Sequence, residues 1–469
     1  MARIFISATH KSSGKTTLSI GLCAALHAQG LRVQPFKKGP DYIDPLWLGA
    51  ASARACHNLD FNTMTPDEII QTVQHYAASA DIALIEANKG LYDGMALDGS
   101  DSNAAVAKLT RSPVILVVDS RGMTRGVAPL LLGYQAFDPD VQIAGIIFNR
   151  VGGARHASKL REAVEHYTDI KVLGAVQNNP EMEIEERHLG LMPSNESSAA
   201  ATQIARIRDL VAEQVDLSAL RAIASEAKTL LLPSPLAGGE ATRSSVWDGV
   251  GMGGTPLRIG ICQDPAFAFY YPGDLEALQA AGAELVPVNT LKDTALPALD
   301  GLFIGGGFPE TQMHALAANV SMRESIRNAI ENGLPTYAEC GGLMYLSRSL
   351  VWNGEQVPMV GIIPGDAVMH AKPQGRGYVK LQETADMPWP GGDAQAVINA
   401  HEFHYSCLEN LTAQGRFAYR MRRGTGIDGQ YDGWIYRNLL ASYTHMRDTA
   451  QCHWARRFVA FIRLKQQGN

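Results

Sequence analysis

The feature that most constrains this fold is a loop at residues 8–17, which contains glycine and lysine and joins an apolar run to a helical pattern. The apolar run Arg3–Ala8 predicts a buried strand, and Leu18 and Leu22 follow at helical spacing. A strand that passes through such a loop into a helix directs backbone N–H groups and a helix dipole at one point, which suits a polyphosphate. We therefore predict that the chain begins with a nucleotide-binding parallel α/β sheet.

The side chains of this loop each suit a part of a bound nucleotide. Gly14 permits the tight backbone, Lys15 can reach the terminal phosphates, and the Thr16 hydroxyl can coordinate Mg²⁺. Thr9 stands where the usual pattern has its first glycine, and a chance Gly-Lys-Thr before a helix is the alternative. The flanking strand and helix favour ATP. The loop residues predicted to bind ATP are Ser12, Ser13, Gly14, Lys15, Thr16 and Thr17.

Further apolar runs alternate with helical patterns through the first half of the chain, which predicts a parallel sheet with helices on both faces. The later strands predicted there are Ile82–Glu86, Val114–Asp119, Ile143–Asn149 and Val172–Val176. In such sheets, chemistry gathers at the carboxyl ends of the strands. The polar residues that would lie at that edge are Thr9, Glu86, Asp119 and Asn149.

A charged segment, Lys37–Pro45, follows the second predicted strand. Its glycine and prolines predict a fixed loop instead of a helix. Phosphoryl transfer to a carboxylate needs acidic ligands for a metal and cations for the phosphates. We predict that Asp41 and Glu86 bind Mg²⁺ and that Lys37 contacts ATP, with solvated loop charge as the alternative.

Residues 229–256 are rich in proline, glycine and serine, which predicts a linker between domains at residues 1–228 and 257–469. Strands and helices again alternate after this linker, and strands predominate before a last helix. The elements predicted there are the strands Arg258–Cys262, Gly301–Ile304 and Leu334–Ala338 and the helices Asp274–Gly282, Met322–Asn332 and Trp454–Leu464.

Residues 336–344 predict a strand, a turn of small residues and a helix around Cys340. In such a nucleophile elbow the sharp turn exposes the thiol, and the helix N-terminus favours negative charge. The predicted donors to an oxyanion are the N–H of Gly341 and that of Gly306, which lies in the triple glycine at residues 305–307. For this cysteine alone, simple packing in a glycine-rich turn is the alternative.

A nucleophilic cysteine needs a base, and His445 is the preferred candidate, with His401 and His404 as rivals. The other five cysteines lack such surroundings and have no Cys-x-x-Cys spacing of the kind that metal and redox sites use. Six cysteines in 469 residues also argue against a disulfide framework.

Composition weighs against two classes of partner. The net charge of −6 gives no electrostatic argument for nucleic acid or a membrane surface. No apolar stretch reaches the roughly 18–20 residues that span a bilayer, and the first apolar run is too short for a signal peptide. We predict a cytoplasmic location.

Together these motifs resemble the cobyrinate a,c-diamide synthase family of glutamine amidotransferases over nearly the whole chain. The resemblance rests on the phosphate loop, Pro35–Pro45, Asn58–Asp60, Leu91–Gly94, Gly305–Glu310, Ala338–Gly342 and His401–Tyr405. It implies a P-loop synthetase domain similar to dethiobiotin synthetase, followed by a class I glutaminase domain of flavodoxin-like fold. It also implies an enzyme that uses ATP, Mg²⁺ and glutamine to convert the a and c acetate carboxylates of a cobyrinate-like tetrapyrrole to amides. The reaction would pass through an acyl phosphate. The resemblance is also compatible with a homodimer.

The resemblance assigns several residues. The matching positions are Asp41 and Glu86 for the metal and Tyr42, Ile43 and Asp93 for the substrate. Asn149 matches the residue that reads adenine in related synthetases. The resemblance also implies a Cys–His pair that lacks the usual glutamate third member, and Arg447 indeed stands two residues after His445.

Departures from the family pattern leave the macrocycle open. They lie in the phosphate loop and at residues 46–49 and 86–90, so sirohaem and nickel-sirohydrochlorin remain alternative substrates. Cobyric acid synthases resemble the chain less, because they lack its Gly-Pro-Asp-Tyr-Ile-Asp-Pro motif. The alternative from another class is a ParA-like ATPase switch. Such switches carry a lysine five residues before the phosphate-loop lysine, where His10 stands here, and have no use for a cysteine elbow.

Overall fold

The structure, a computed structural model, describes residues 1–187, 190–195, 199–231, 255–412 and 415–467. It divides into two compact units, Met1–Pro235 and Leu236–Asn469. Residues 232–254 of the predicted linker lie outside the described ranges. Among the helices described, none combines the length and apolarity that a bilayer crossing requires.

The first unit is built on a seven-stranded sheet whose paired strands all run parallel. Its strands are β1 (Arg3–Ala8), β2 (Val33–Lys38), β3 (His57–Leu59), β4 (Ile82–Glu86), β5 (Val114–Asp119), β6 (Ile143–Val151) and β7 (Lys171–Gln177), in the order β3-β2-β4-β1-β5-β6-β7. A separate pair is formed by β8 (Glu186–Arg187) and β9 (Gly190–Leu191). The helices are α1 (Lys15–Ala28), α2 (Ile43–Ser52), α3 (Pro66–Ala77), α4 (Asn103–Leu109), α5 (Val127–Phe137), α6 (Ala154–Tyr167), α7 (Ala200–Gln214) and α8 (Leu217–Ser225), with a 3-10 turn at Pro180–Met182.

The sequence explains why these elements form. Every residue of β1, β4 and β5 is buried, as expected for near-continuous apolar strands of a parallel sheet covered on both faces. Helix α3 begins with a capping box between Thr65 and Glu68, which satisfies N–H groups of its first turn. Gly21 lets α1 approach α7 closely, because a Cβ there would lie 2.5 Å from Val211 Cγ2.

The predicted strands of this unit are confirmed, but the prediction for Lys37–Pro45 is partly wrong. Lys37 and Lys38 belong to β2, and Ile43–Pro45 form the first turn of α2. Only the residues between these elements are a loop. Pro45 is tolerated there because proline suits the first turn of a helix, where its missing N–H costs no hydrogen bond.

The second unit combines a nine-stranded sheet with a smaller four-stranded sheet. Its strands are β10 (Leu257–Cys262), β11 (Ala283–Val288), β12 (Gly301–Ile304), β13 (Thr336–Glu339), β14 (Ser347–Trp352), β15 (Glu355–Pro358), β16 (Ile363–Met369), β17 (Gly375–Glu383), β18 (Ile398–His404), β19 (Ser406–Glu409), β20 (Arg416–Arg423), β21 (Tyr431–Tyr436) and β22 (Leu439–Ser442). Its helices are α9 (Pro272–Ala280), α10 (Met313–Ala318), α11 (Val320–Glu331), α12 (Gly341–Leu346) and α13 (Trp454–Gln467), with a 3-10 turn at Pro309–Gln312.

The larger sheet of this unit is parallel in one half and antiparallel in the other. Its order is β11-β10-β12-β13-β22-β21-β20-β17-β18, and the parallel pairing runs from β11 to β22. The smaller sheet has the order β15-β14-β16-β19. Because β12, β13 and β22 are parallel neighbours, their carboxyl ends bring residues 305–307, Cys340 and residues 443–445 to one edge.

Candidate active sites

The phosphate loop of the first unit is held in a tight turn by residues from the end of β6. Gly14 has φ of +79°, a left-handed conformation that glycine adopts without strain. The Asn149 side-chain amide donates to the Ser13 carbonyl at 2.9 Å, and Arg150 donates to the Ser12 carbonyl at 2.7 Å. A Cβ on Gly14 would lie 2.1 Å from Asn149 Nδ2. Asn149, the residue predicted to bind adenine, therefore also holds the phosphate loop in place.

Behind this loop, buried charges of both signs surround the Thr16 hydroxyl. Lys15 Nζ lies 3.1 Å and Lys37 Nζ 3.2 Å from Glu86 Oε1. The Thr16 hydroxyl lies 2.7 Å from Glu86 Oε1 and 3.2 Å from Asp44 Oδ2, and Lys37 Nζ is 2.5 Å from the same Asp44 oxygen. The structure thus brings together four predicted site residues, Lys15, Thr16, Lys37 and Glu86.

Asp44 belongs to this cluster although it is not among the predicted site residues. It lies on the first turn of α2, which the predicted loop concealed. Asp41 directs its Oδ1 to the backbone N–H groups of Ile43 and Asp44 at 3.0 and 3.1 Å, and its other oxygen lies 3.8 Å from Lys37 Nζ. Burial and the neighbouring Asp44 charge raise the pKa of Asp41. The spacing of three residues between Asp41 and Asp44 was the available signal for a third acid.

The pKa values of the two lysines in the cluster are shifted in opposite directions, although burial acts to lower both. Burial lowers the pKa of Lys15, and the nearby Lys37 charge acts in the same sense against the raising effect of Glu86. Burial also acts to lower the pKa of Lys37, but the carboxylates of Asp44, Glu86 and Asp41 outweigh it and raise that pKa. Lys37 is therefore a permanent cation at this edge of the sheet.

The residues of the cluster fit a divalent cation. Glu86 is completely buried, and its Oε2 has no hydrogen-bond partner among the residues that the structure describes. A buried carboxylate oxygen without a partner is costly unless a cation completes its surroundings. Thr16, Asp44 and Glu86 offer the hard oxygen ligands that Mg²⁺ prefers.

A cavity of about 440 Å³ opens beside the phosphate loop. It is lined by Gly14, Thr17, Asn149, Arg150, Met182 and Leu191, among others. Because the helix N-terminus beside it suits phosphate groups, the cavity is placed to receive a ligand that extends from phosphates held there. Ser12, with φ of +64°, lies on the exposed side of the loop.

The residues predicted to contact the substrate follow the carboxyl ends of β2 and β4. Tyr42 precedes α2 and is half-buried, whereas Ile43 is buried. Asp93 accepts a hydrogen bond from the Gly90 backbone N–H at 2.9 Å and so shapes the turn after β4. Their contacts with a substrate remain a prediction.

In the second unit, Cys340 occupies a strained turn between β13 and α12. Its φ of +47° and ψ of −100° lie in a region that non-glycine residues rarely adopt, as expected at a nucleophile elbow. The prediction of an exposed thiol is wrong, because the residue is only 6% exposed. Its backbone N–H donates to the Ser442 carbonyl at 2.7 Å, and the His445 side chain, from the turn after β22, forms a hydrogen bond with the thiol.

Cys340 and His445 are brought together as hydrogen-bonded partners. Burial acts to lower the pKa of His445, but the Cys340 and Glu339 side chains outweigh it and raise that pKa to about 10. The Nδ1 atom of His445 lies 3.4 Å from Glu339 Oε2. An acidic neighbour of the imidazole is therefore present, although Arg447 occupies the position of the usual glutamate two residues after His445.

The rival histidines take other positions. His401 stacks on the His445 ring, with ring centroids 5.0 Å apart and an angle of 14° between the rings. Burial, His445 and Arg447 together hold the pKa of His401 well below its usual range, so it packs there as a neutral ring. His404 stacks on Tyr443, and its Nδ1 lies 2.7 Å from the Ser406 carbonyl oxygen.

The two glycines predicted to hold an oxyanion lie beside the Cys–His pair. A Cβ on Gly306 would lie 2.6 Å from His445 Cε1. A Cβ on Gly341 would lie 3.0 Å from the backbone nitrogen of Gly307. Neither position therefore has room for a side chain. The part played by their N–H groups remains a prediction.

Comparison with known proteins agrees with this two-site arrangement. Residues 4–191 match the family described as CobQ/CobB/MinD/ParA nucleotide binding domain, and residues 258–450 match the CobB/CobQ-like glutamine amidotransferase domain. Three relatives named cobyrinate a,c-diamide synthase come from Magnetococcus marinus, Methanosarcina acetivorans and Listeria monocytogenes serotype 4b. They are 47%, 40% and 39% identical to this chain, covering 97%, 96% and 95% of it and 95%, 93% and 96% of their own lengths.

Proposed function

This chain belongs to the cobyrinate a,c-diamide synthase family, and we propose that it converts the a and c acetate carboxylates of cobyrinate, or of a close tetrapyrrole relative, to amides. It is a glutamine-hydrolysing carboxylate–amide ligase. The observation that carries the proposal is the presence of two chemically different sites in one chain. One unit holds a phosphate loop beside the buried carboxylate of Glu86, and the other holds a buried Cys–His pair.

The glutaminase half requires a nucleophile, a base and an oxyanion site. In the proposed mechanism, Cys340 Sγ attacks the side-chain carbonyl carbon of glutamine, and His445 moves the proton between the thiol and the departing ammonia. The N–H groups of Gly306 and Gly341 receive the negative charge of the tetrahedral intermediate. Water then releases glutamate from the thioester and restores the thiol.

The synthetase half activates the substrate carboxylate. A carboxylate oxygen attacks the γ-phosphorus of ATP, and ADP leaves, giving an acyl phosphate. Lys15 and Lys37 stabilise the charge of the transferring phosphoryl group, and the phosphate loop fixes its position. Thr16, Asp44 and Glu86, together with the predicted ligand Asp41, would hold Mg²⁺, which neutralises phosphate charge when bound. Tyr42, Ile43 and Asp93 are proposed substrate contacts.

Ammonia from the first reaction consumes the acyl phosphate from the second. Its nitrogen attacks the acyl carbon, inorganic phosphate leaves, and a proton is released as the amide forms. Two acetate side chains would react in turn. The homodimer, the cytoplasmic location and the assignment of residues 1–228 and 257–469 to the two half-reactions belong to this proposal.

Two variants test the division of labour. Cys340→Ala should abolish glutamine use and retain amidation from added ammonia, because only the nucleophile is lost. Lys15→Ala should abolish amidation from either nitrogen source, because both need activated carboxylate. Cys452→Ala is a matched control, since burial raises the pKa of that thiol to about 12 and leaves it inert.

The readouts are amide formed from glutamine and amide formed from ammonia, measured with cobyrinic acid. Retention of glutamine use by Cys340→Ala would refute the nucleophile assignment. Amidation by Lys15→Ala at the wild-type rate would refute the role of the phosphate loop.

A further inference from the structure

The imidazole of His445 has a carboxylate neighbour that the sequence pattern did not predict. Glu339 directly precedes Cys340, and its Oε2 lies 3.4 Å from His445 Nδ1. Both side chains are only 3% exposed. The position two residues after His445 is Arg447, whose guanidinium lies 4.9 Å above the Tyr271 ring centroid.

We propose that Glu339 is the positioning residue of the Cys340–His445 pair and takes the part of the acid that orients the imidazole. A buried carboxylate at Nδ1 fixes the ring orientation and its tautomer, and stabilises the imidazolium that forms during catalysis. This inference rests on the proposed glutaminase function, because it concerns the same two reacting groups.

The carboxylate of Glu339 is held so that one oxygen faces the ring. Its Oε1 accepts hydrogen bonds from the Tyr337 hydroxyl at 2.6 Å and from the Met446 backbone N–H at 2.9 Å. Burial and the nearby Glu339 charge raise the pKa of Tyr337 well above its usual range, so the hydroxyl remains a donor. Because two donors fix Oε1, the second oxygen is directed at Nδ1.

The turn at Cys340 explains how adjacent residues can act on one imidazole. Successive side chains of an extended strand point to opposite faces, and Tyr337 and Glu339 accordingly share a face of β13. The positive φ of Cys340 breaks this alternation and turns its thiol toward the ring that Glu339 contacts. With Nδ1 facing the carboxylate, Nε2 is the nitrogen that exchanges a proton with the thiol.

The charged and titratable groups around His445 are Cys340, Glu339, Tyr337, His401, Arg447 and Asp274, with Tyr270 beside the carboxylate. His401 packs as a neutral ring, and the nearby Asp274 has a pKa that burial and Asp448 raise well above its usual range. Among the residues that the structure describes, Glu339 is therefore the acid in direct contact with His445. Removing its charge should make the imidazolium easier to deprotonate.

The test compares the full-length wild type with Glu339→Gln in glutamine hydrolysis across pH. The variant should lower kcat for glutamine roughly 10²–10⁴-fold, as loss of a triad acid does. The alkaline limb of its kcat/KM profile should move to lower pH by about one unit, because the imidazolium has lost its nearest counter-charge. Amidation from added ammonia should stay at the wild-type rate.

Two further variants separate positioning from simple destabilisation. Tyr337→Phe removes one donor to Oε1 and should lower kcat about tenfold with a smaller shift of the alkaline limb. Glu383→Gln is the matched control, because Glu383 is a buried acid of the same unit that pairs with Arg457 instead. It should lower thermal stability and leave kcat and the pH profile unchanged.

Wild-type kcat and an unmoved alkaline limb in folded Glu339→Gln would overturn the inference. If Glu339→Gln does not fold, an unchanged profile in Tyr337→Phe would overturn it instead. Cys340→Ala, assayed in parallel, keeps the two failures apart. If that variant still hydrolyses glutamine, the proposed function has failed, whatever Glu339 does.

Discussion

Substitution of Gly14 by alanine provides a quantitative test of the phosphate loop. The backbone at this position has φ of +79°, and an added Cβ would lie 2.1 Å from Asn149 Nδ2. Alanine therefore adopts a strained backbone and displaces the side chain that donates to the Ser13 carbonyl. ATP binding has to restore the tight turn, so both penalties should appear as weaker affinity.

The two penalties can be estimated separately. A non-glycine residue in the left-handed region costs roughly 1–2 kcal/mol. Loss of the hydrogen bond from Asn149 to the Ser13 carbonyl costs about 1 kcal/mol. Their sum, about 2–3 kcal/mol, corresponds to a rise in the Kd for ATP of roughly 30–150-fold.

A double-mutant cycle identifies the cause of the weaker binding. Asn149→Ala alone should raise the Kd for ATP at least about fivefold, because it removes this hydrogen bond together with the contact with adenine that is predicted for Asn149. Gly14→Ala with Asn149→Ala should bind ATP about as tightly as Gly14→Ala alone, because both substitutions remove the same bond. Glutaminase activity should be unaffected in all three variants.

Isothermal titration calorimetry with ATP measures these constants, and circular dichroism checks that each variant is folded. A wild-type Kd in folded Gly14→Ala would refute the assignment of this loop to ATP. Fully additive penalties in the double variant would refute the contact between Gly14 and Asn149 as the cause.

Two further predictions concern ion pairs. Arg457→Ala should lower the free energy of unfolding of the second unit by about 3–5 kcal/mol, because it leaves the buried Glu383 carboxylate unpaired, and adding Glu383→Leu should recover part of the loss in denaturant unfolding. If Glu383→Leu restores none of the stability lost in Arg457→Ala, an unpaired buried carboxylate is not the cause of that loss. Burial acts to raise the pKa of Asp119, but hydrogen bonds from Arg121 and Arg150 outweigh it and lower the pKa to about 2. The stability that the ionised Asp119 contributes is therefore full above about pH 4 and is lost as the pH falls toward 2. Asp119→Asn should therefore unfold about 1 kcal/mol more easily at neutral pH, with solvent screening of both arginines allowed for, and the difference from the wild type should vanish below pH 2. A difference that persists at pH 2 would argue against the ion pair as its source.

The parallel part of each sheet could be predicted from the sequence because its strands are short apolar runs separated by helical patterns. β1, β4 and β5 have the predicted bounds, and the loop after β1 follows from Gly14, Lys15 and Thr16. The turn at Cys340 was also predictable, since small residues follow it directly. Local signals of this kind depend only on neighbours along the chain.

Features that depend on packing between distant segments could not be predicted from the sequence. Glu339 reads as the last residue of a strand, and its contact with His445 exists only because β13 and β22 are neighbours in the sheet. The sequence pattern predicts a loop around Asp44, so it does not indicate the helical turn on which this carboxylate lies. The near-complete burial of Cys340 is likewise not visible in its own segment, because its partner His445 follows another strand of the sheet.

The most direct test of the whole account is the mass of the product formed by the purified chain with Mg·ATP and glutamine. The substrates to compare are cobyrinic acid, hydrogenobyrinic acid, sirohaem and nickel-sirohydrochlorin. We predict conversion of two carboxylates of cobyrinic acid to amides, with one ATP consumed for each. Conversion of sirohaem or nickel-sirohydrochlorin instead would change the substrate but keep the chemistry. ATP hydrolysis without amidation of any macrocycle would contradict the central claim and favour an ATPase switch.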